Sequence, residues 1–415
     1  MRPQAPEPAK PPPNLQSPWV WLRSISHQPF VYKKMLRDAD AEARPGDVVN
    51  VYERGGQLVG RGLYNPRSQI VVRMLAQPDV PIDEAFWRQR FEQAVALRAQ
   101  LRLDEITDAY RLVHAEGDGL SGLIVERYAD YLVFEVFSLG MFQRWPELAD
   151  IVGNVLGAPT RLDRPDTAGQ SWRTVVRADT RIAQIEGFRV PEPTRFAGKP
   201  PARTTIREHG IRHWVNLETG HKTGFFCDQR DNRRRFANFC RDAHVLDLCC
   251  YTGAFSLCAT LIGGAKAVTA VDLDENAIAV AKENANLNQT RIDFVYADAF
   301  TFLRQMIQNG RQFDAVVLDP PKLATYRGEC EDALRKYNDF NALAMQVVRP
   351  GGVLLTCSCS GLISRPAFHD AVFRAATRVG RSVQVLDETG AAPDHPVMMN
   401  CPASAYLKTL WLRVL

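Results

Sequence analysis

Three aspartates lie in or at the end of apolar runs in the second half of the chain. Asp247 lies within the first run, Asp272 closes the second, and Asp298 closes the third. An acid in the position of Asp272 commonly binds ribose hydroxyls, and one in the position of Asp298 can bind an adenine amine. Carboxylates also attract the ammonium and sulfonium charges of S-adenosylmethionine. The three acids therefore predict a site for that cofactor, and the alternative is that they only cap helices.

A turn follows Asp247 and belongs to the same predicted site. Tyr251, Thr252 and Gly253 connect the first run to a helical stretch, and glycine allows close approach of the backbone to a ligand. The turn lacks the G-x-G-x-x-G pattern that suits a dinucleotide pyrophosphate. We therefore expect these residues to line a site for a cofactor without phosphates.

Two further motifs could act on a substrate. Asp319-Pro320-Pro-Lys322 follows the fourth run, and its prolines would hold the carboxylate outward in a rigid turn. Amino-group methyltransferases often end this motif with an aromatic residue, so Lys322 argues against their chemistry. The fifth run ends in Thr-Cys357-Ser-Cys359-Ser-Gly. A cysteine in a strand is usually a small buried hydrophobe, but a thiol at a strand exit in the same sheet as Asp319 is a candidate nucleophile.

The elements that must position these residues are typical of an α/β Rossmann-like fold. Continuous apolar runs are typical of buried parallel strands, and their alternation with helical stretches indicates a doubly wound sheet. Ligands of such sheets bind beyond the carboxyl ends of the strands. The runs cover residues 245–250, 267–272, 294–298, 313–319 and 352–359.

Smaller modules are predicted before this sheet. The apolar segments on either side of Gly55-Gly56 indicate a β-hairpin, and a third strand completes a small β-rich module. Residues 84–101 have helical periodicity, and strands follow between 110 and 137, which indicates an α+β unit. Residues 157–205 are rich in proline and polar residues and predict an irregular connector.

Composition limits the class of protein. A chain of 415 residues suggests two or three domains. Its 51 basic and 47 acidic residues give a net charge of +4, too small to establish a nucleic-acid partner by itself. Nine cysteines without C-x-x-C spacing argue against disulfides and zinc, and we expect a reducing, cytoplasmic compartment and no metal. No apolar stretch reaches membrane-spanning length, so no membrane partner is expected.

Taken together, the motifs resemble the bacterial 23S rRNA cytosine-C5 methyltransferases of the RlmI type, which carry a PUA domain. The resemblance runs from about residue 20 to the end of the chain. It is carried by Asp118-Gly-Leu, His221-Lys-Thr-Gly-Phe-Phe-Cys-Asp-Gln-Arg-Asp-Asn-Arg, Tyr251-Thr-Gly-Ala-Phe, Asp319-Pro-Pro-Lys, Ser358-Cys-Ser-Gly and Asp394-His-Pro-Val.

The resemblance implies S-adenosylmethionine as cofactor and large-subunit rRNA as partner. It also implies a division into a disordered Pro-rich tail (1–17), a PUA-like RNA-binding domain (18–78), a small α+β middle domain (79–195) and a class I methyltransferase domain (196–415). A homodimer is left open.

The resemblance further implies covalent catalysis. C5 of cytosine is a poor nucleophile, so a thiolate first adds at C6, and C5 then takes the methyl group. Ser-Cys-Ser is the family's catalytic form, which assigns the thiolate to Cys359. Asp319 would hydrogen-bond N3 and the exocyclic amine of the base. Gln229, Asp231, Asp319 and Pro320 are implied to line the cofactor pocket.

Other interpretations stay open at this stage. A Thr-Cys-Ser alignment with another cytosine-C5 family selects Cys357, but that family carries a second cysteine, in Asp-Ala-Pro-Cys, where Asp319-Pro-Pro-Lys has none. Uracil-C5 enzymes use the same covalent chemistry and typically carry Asp-Pro-Pro-Arg and Ser-Cys-Asn-Pro, from which Ser360-Gly361 departs. Guanine-N methylation needs no thiolate, and a non-catalytic RNA-binding assembly factor would tolerate loss of Cys359.

Two further predictions concern the base that removes the C5 proton and the contacts to RNA. His395 is a candidate base, with a structural histidine as the alternative. Arg230, Arg233, Arg234 and Arg235 are candidate contacts to RNA phosphates, with a solvated helix face as the alternative.

Overall fold

A computed structural model describes residues 11–159, 171–190, 203–217 and 224–415. The chain forms two units. Unit 1 contains Met1–Asp104, Tyr110–Ala202 and Asp394–Ser404, and unit 2 contains Glu105–Ala109, Arg203–Pro393 and Ala405–Leu415. The C-terminal part of the chain thus contributes one segment to unit 1 before it returns to unit 2. Across the described ranges, no helix has both the length and the apolar character needed to traverse a bilayer.

The first sheet of unit 1 confirms the predicted hairpin. Strands β4 and β5 are antiparallel on either side of Gly55-Gly56, and β6 pairs with β5. The sheet order is β2-β6-β5-β4-β1-β3, and its core is rich in buried valines. Its strands are β1 (Trp19–Leu22), β2 (Phe30–Tyr32), β3 (Leu36–Ala39), β4 (Val48–Tyr52), β5 (Leu58–Tyr64) and β6 (Ile70–Ala76).

The second sheet of unit 1 has the order β10-β9-β8-β7. Its strands are β7 (Ala109–His114), β8 (Leu123–Tyr128), β9 (Tyr131–Val136) and β10 (Arg173–Arg177). The α-helices among the described residues of this part of the chain are α1 (Glu84–Gln100), α2 (Leu103–Ile106), α3 (Leu139–Leu156) and α4 (Thr180–Glu186). The helix predicted over 84–101 is confirmed.

The predicted irregular connector is wrong in its middle part. β10 pairs in parallel with β9, and its Val175 and Val176 are buried. α4 follows, with Asp179 as its N-cap. The prolines that suggested a connector all lie outside 173–186, so they flank these elements and do not interrupt them. The parts 160–170 and 191–202 lie outside the described residues.

The main sheet of unit 2 confirms the predicted Rossmann-like class. Its order is β15-β14-β13-β16-β17-β19-β18; β13 to β17 are parallel, and β19 runs antiparallel between β17 and β18. The strands are β13 (His244–Leu248), β14 (Ala267–Asp272), β15 (Asp293–Tyr296), β16 (Phe313–Leu318), β17 (Val348–Ser358), β18 (Val383–Thr389) and β19 (Lys408–Val414). A separate hairpin is formed by β11 (Arg203–Glu208) and β12 (Ile211–Asn216).

Both faces of this sheet are covered, which explains its continuous apolar runs. Leu246 and Val316 belong to one buried cluster, whereas Val245 and Val317 belong to another. The helices of unit 2 are α5 (Arg230–Phe236), α6 (Ala254–Leu261), α7 (Glu275–Leu287), α8 (Ala299–Gln308), α9 (Cys330–Val347) and α10 (Arg365–Arg378). The carboxyl ends of the five parallel strands therefore meet at one edge of the sheet, where the predicted site residues lie.

The arginine run at the start of α5 contains two buried side chains. Arg230 and Arg233 are 1% and 2% exposed, so the prediction that they contact RNA phosphates is wrong. Arg233 donates two hydrogen bonds of 2.8 Å to the carboxylate of Glu208. Burial disfavours the Glu208 carboxylate, but the guanidinium outweighs burial and holds the pKa of Glu208 below its usual value. Arg234 is exposed.

Replacing Arg233 should destabilise the fold strongly. Arg233→Met leaves the Glu208 carboxylate buried without its partner, which should lower the free energy of unfolding by about 3–5 kcal/mol. Arg234→Met is the matched control and should change it by less than about 0.5 kcal/mol. Urea unfolding at pH 7 measures both values. Equal stability of the two variants would contradict the structural role.

The same pair predicts a pH dependence. Because the pKa of Glu208 is lower in the folded protein than its usual 4.5, its stabilising contribution is present above that pH and declines as the pH falls below it. The difference in unfolding free energy between Arg233→Met and the wild type should therefore narrow in acid. A difference that stays constant from pH 7 to pH 3 would exclude this linkage.

Candidate active site

The loop that follows β13 has an unusual backbone. Cys249, Tyr251 and Gly253 have φ angles of +60°, +50° and +80°, and positive φ is uncommon outside glycine. The backbone N–H of Tyr251 donates to the Asp272 carboxylate at 2.8 Å, which holds the loop against the end of β14. A Cβ at Gly253 would come within 3.2 Å of Phe294. Such backbone strain is characteristic of functional sites. The hydrogen bond from Tyr251 brings the predicted turn and Asp272 together.

Asp247 is buried beneath this loop. It is 1% exposed, and it accepts hydrogen bonds from the backbone N–H of Ser256 at 3.0 Å and from its hydroxyl at 2.6 Å. Burial, together with the charges of Asp319 and Asp272 and against the two hydrogen bonds from Ser256, raises the pKa of Asp247 to about 7. The three carboxylates therefore lie close enough to interact. Their combined negative potential suits a cofactor that carries ammonium and sulfonium charges.

The two remaining acids of the predicted site have different surroundings. Asp272 also accepts from the N–H of Asp274 at 2.9 Å. Asp298 caps α8, because one of its oxygens accepts from both the N–H and the hydroxyl of Thr301 at 2.9 Å. For that oxygen of Asp298, helix capping, which was the alternative to cofactor binding, is therefore observed. Leu273, which the sequence analysis missed, is 63% exposed directly after Asp272 and offers an apolar surface for a flat base.

Gln229 connects the cofactor side of the site to the proposed substrate side. Its amide nitrogen donates to the Asp319 carboxylate at 3.0 Å, and its amide oxygen accepts from Asn232 at 2.7 Å. Gln229 is buried. It therefore orients the carboxylate at the end of β16, and the structure brings these two predicted residues together. The segment 218–223 of the adjoining motif lies outside the described residues.

The structure distinguishes the two thiols that strand alternation could not separate. Cys357 is 0% exposed and belongs to an apolar cluster with Val317 and Trp411. Burial, followed by the charge of Asp319, raises the pKa of Cys357 well above its usual value. Cys359 follows the end of β17 and is partly exposed, with its sulfur 3.9 Å from the carbonyl oxygen of Pro320. Only the second thiol combines solvent access with proximity to the Asp319 motif.

A hydrogen-bond network that the sequence analysis missed fixes the exit of β17. The Tyr337 hydroxyl lies 2.9 Å from the Ser358 hydroxyl and 3.0 Å from the Ser360 hydroxyl. The Ser360 hydroxyl also accepts from the N–H groups of Leu323 at 3.0 Å and Ala324 at 3.3 Å. A signal was present in the sequence, because two serines at alternate positions around the exit of a buried strand require polar partners where they are buried. The partner on α9 had no local signature.

Two motifs of the sequence analysis meet in unit 1. Arg98 donates to the Asp118 carboxylate at 2.6 and 2.9 Å and to the carbonyl oxygen of Asp394 at 2.6 Å. The ring of His395 is buried and lies 5.2 Å from the ring of His114. These contacts favour the structural alternative for His395.

Comparison with known proteins agrees with this geometry. A model of S-adenosylmethionine-dependent methyltransferases matches residues 186–413, and a model of PUA-like domains matches residues 23–77. A solved structure described as a SAM-dependent methyltransferase from Streptococcus mutans shares the fold, with a TM-score of 0.74 and 20% identity over 90% of this chain and 93% of that chain. Fold and site together define a methyltransferase that uses S-adenosylmethionine.

Relatives along nearly the full chain narrow the family. The Ribosomal RNA large subunit methyltransferase I of Enterobacter sp. (strain 638) is 34% identical over 94% of this chain and 96% of its own. The protein of the same name from Alteromonas mediterranea is 36% identical over 92% of this chain and 94% of its own. The chain belongs to this family of S-adenosylmethionine-dependent methyltransferases, and the resemblance predicted from its motifs is confirmed.

The carboxylate at the end of β14 provides a test of the cofactor site. Asp272→Asn should weaken S-adenosylmethionine binding by about 1–3 kcal/mol, the usual cost of losing a charge-assisted hydrogen bond. Asp293→Asn is the matched control, because Asp293 is exposed at the first residue of β15 and thus at the opposite edge of the sheet. Calorimetric titration of both variants measures the effect. An unchanged affinity for Asp272→Asn would remove this carboxylate from the site.

Proposed function

We propose that this protein transfers a methyl group from S-adenosylmethionine to C5 of a cytosine in large-subunit ribosomal RNA, through a covalent bond between Cys359 and C6 of the base. The observation that carries the proposal is the partly exposed Cys359 thiol beside the carbonyl of Pro320 in the Asp319 motif. The names of the full-length relatives support rRNA as the substrate. The PUA-like segment supports RNA docking.

Methylation at C5 of cytosine requires a nucleophile at the position of Cys359. The thiolate of Cys359 adds at C6. The π electrons of the C5–C6 bond then move away from C6 to C5 and the conjugated N3, which makes C5 nucleophilic. S-adenosylmethionine supplies the electrophilic methyl group. A base then takes the C5 proton, the electrons of the C5–H bond form the C5–C6 double bond again, and the electron pair of the C6–S bond returns to sulfur. Neither nitrogen methylation nor simple RNA binding needs this thiol.

Asp319 has the second role in this proposal. Its carboxyl group would hydrogen-bond N3 and the exocyclic amine of the cytosine while charge develops on the ring. The hydrogen bond from Gln229 fixes the orientation of that carboxyl group, so less reorganisation is needed when the base arrives. Tyr251, Thr252, Gly253, Asp272 and Pro320, with Asp247 beneath them, would form the cofactor side.

The same proposal includes the domain roles. Residues 18–78 would dock RNA, 79–195 would form the middle domain, and 196–415 would carry out the transfer in the cytoplasm. Within the segment Arg230–Arg235, only the exposed Arg234 and the half-buried Arg235 are left as candidate contacts to phosphates.

Substituting each thiol separately tests the covalent mechanism. RNA that carries 5-fluorocytosine should trap the wild type as an adduct, because fluorine at C5 cannot leave as a proton. Cys359→Ala should abolish the adduct and methylation while cofactor binding persists. Cys357→Ala is the matched control and should keep the adduct, since its buried thiol acts as a small hydrophobe. Denaturing gels and mass spectrometry detect the complex.

Two results would contradict the assignment. An adduct that is lost with Cys357→Ala and kept with Cys359→Ala would transfer the role to the other thiol. Methylation that persists in both variants without any adduct would exclude C5 chemistry and favour nitrogen methylation.

A further inference from the structure

One buried cation in unit 2 has no role in the chemistry described above. Lys408, the first residue of β19, lies opposite Ser358 of β17 and is only 5% exposed. Its ammonium donates to the carbonyl oxygen of Ser360 at 2.7 Å and to that of Tyr406 at 2.8 Å. Lysine is rarely buried without a negative partner. No carboxylate among the described residues forms an ion pair with Lys408.

The charged groups around Lys408 indicate which partner it has. Burial is the largest of three effects that together lower the pKa of Lys408 to about 8: the Arg365 guanidinium acts in the same direction as burial, and a negative charge on Cys359 acts in the opposite direction. This interaction is reciprocal: if a thiolate at Cys359 stabilises the ammonium, then the ammonium stabilises the thiolate by the same amount. Titratable groups on other elements near the thiol include Tyr337 of α9 and Asp319, which precedes the proline whose carbonyl oxygen lies 3.9 Å from the sulfur.

We propose that Lys408 is a positioning residue for Cys359. Its ammonium fixes the peptide carbonyl of Ser360, the residue after Cys359, and supplies the positive charge that favours the Cys359 thiolate. This inference rests on the proposed function, in which Cys359 is the nucleophile. The two hydrogen bonds leave one N–H of the ammonium without a partner among the described residues.

The positive charge of Lys408 stabilises the Cys359 thiolate both before it attacks the base and after it leaves the base. Before attack, the Cys359 thiol releases its proton to solvent, and Lys408 keeps its own three protons. When sulfur bonds to C6, the negative charge passes to the base. On elimination the electron pair of the C6–S bond returns to sulfur, and the ammonium again faces a thiolate. A nearby cation thus stabilises sulfur both as nucleophile and as leaving group.

The ionisation of Cys359 can be measured without RNA. In full-length protein with the Cys357→Ala background, the rate of alkylation of Cys359 by iodoacetamide is followed from pH 5 to pH 10 by peptide mass spectrometry. Lys408→Met should move the midpoint upward by about one pH unit, which slows alkylation at pH 7 about tenfold. Lys408→Arg should retain a midpoint near that of the wild type. Lys336→Met, which removes an exposed cation on α9, should have no effect.

A second variant separates charge from hydrogen bonding. Lys408→Gln keeps an N–H donor near the carbonyl of Ser360 but removes the charge, so it should shift the midpoint as Lys408→Met does. A Lys408→Gln profile identical to that of the wild type would overturn the electrostatic role. Binding of S-adenosylmethionine shows that each variant is folded.

The alkylation test of Lys408 and the adduct test of the proposed function can fail separately. Absence of the 5-fluorocytosine adduct in the wild type would remove Cys359 as nucleophile even if its ionisation depends on Lys408. Conversely, an adduct formed by a protein whose Cys359 ionises identically with and without the Lys408 charge would overturn only the inference about Lys408.

Discussion

The hydroxyl of Ser360 joins the two loops on which the proposed chemistry depends. It accepts hydrogen bonds from the backbone N–H groups of Leu323 and Ala324, which follow the Asp319 motif. It also forms a hydrogen bond with the Tyr337 hydroxyl. Ser360 is fully buried, so loss of its hydroxyl would leave buried donors unpaired at a cost of about 1–3 kcal/mol each. The position of Cys359 relative to the Asp319 motif is therefore set by backbone and hydroxyl groups with little freedom to move.

Burial distinguishes two thiols that lie two residues apart along the chain. Cys357 contributes to the apolar cluster beneath the sheet and ionises with difficulty. Cys359 lies just beyond the last paired residue of β17, where the sheet no longer covers it. A strand that ends one residue after Cys357 thus makes one cysteine structural and leaves the other available for chemistry.

The sequence predicts the sheet well because its physical basis is local. The run 267–272 coincides with β14, since a parallel strand covered on both faces is apolar along most of its length. Asp272 and Asp319 were found because they close such runs. The hydrogen bond between Gln229 and Asp319 joins residues that are distant along the chain, and only the family resemblance indicated that these two residues share a site.

What the sequence could not predict depends on partners that are distant along the chain. Arg233 looks like a member of a basic surface run until Glu208 of another element is placed against it. Tyr337 and Lys408 belong to a helix and a strand on either side of β17, and no spacing pattern connects them to Ser360. Strand β10 was hidden because prolines on both flanks dominate the composition of its segment.

The most direct test of the central claim is nucleotide-resolution mass spectrometry of large-subunit rRNA from a strain that lacks this protein. The account predicts that one 5-methylcytosine is lost, and that the wild type and Cys357→Ala restore it whereas Cys359→Ala does not. Unchanged 5-methylcytosine, or loss of a methyl group from uracil C5 or a guanine nitrogen instead, would contradict the account.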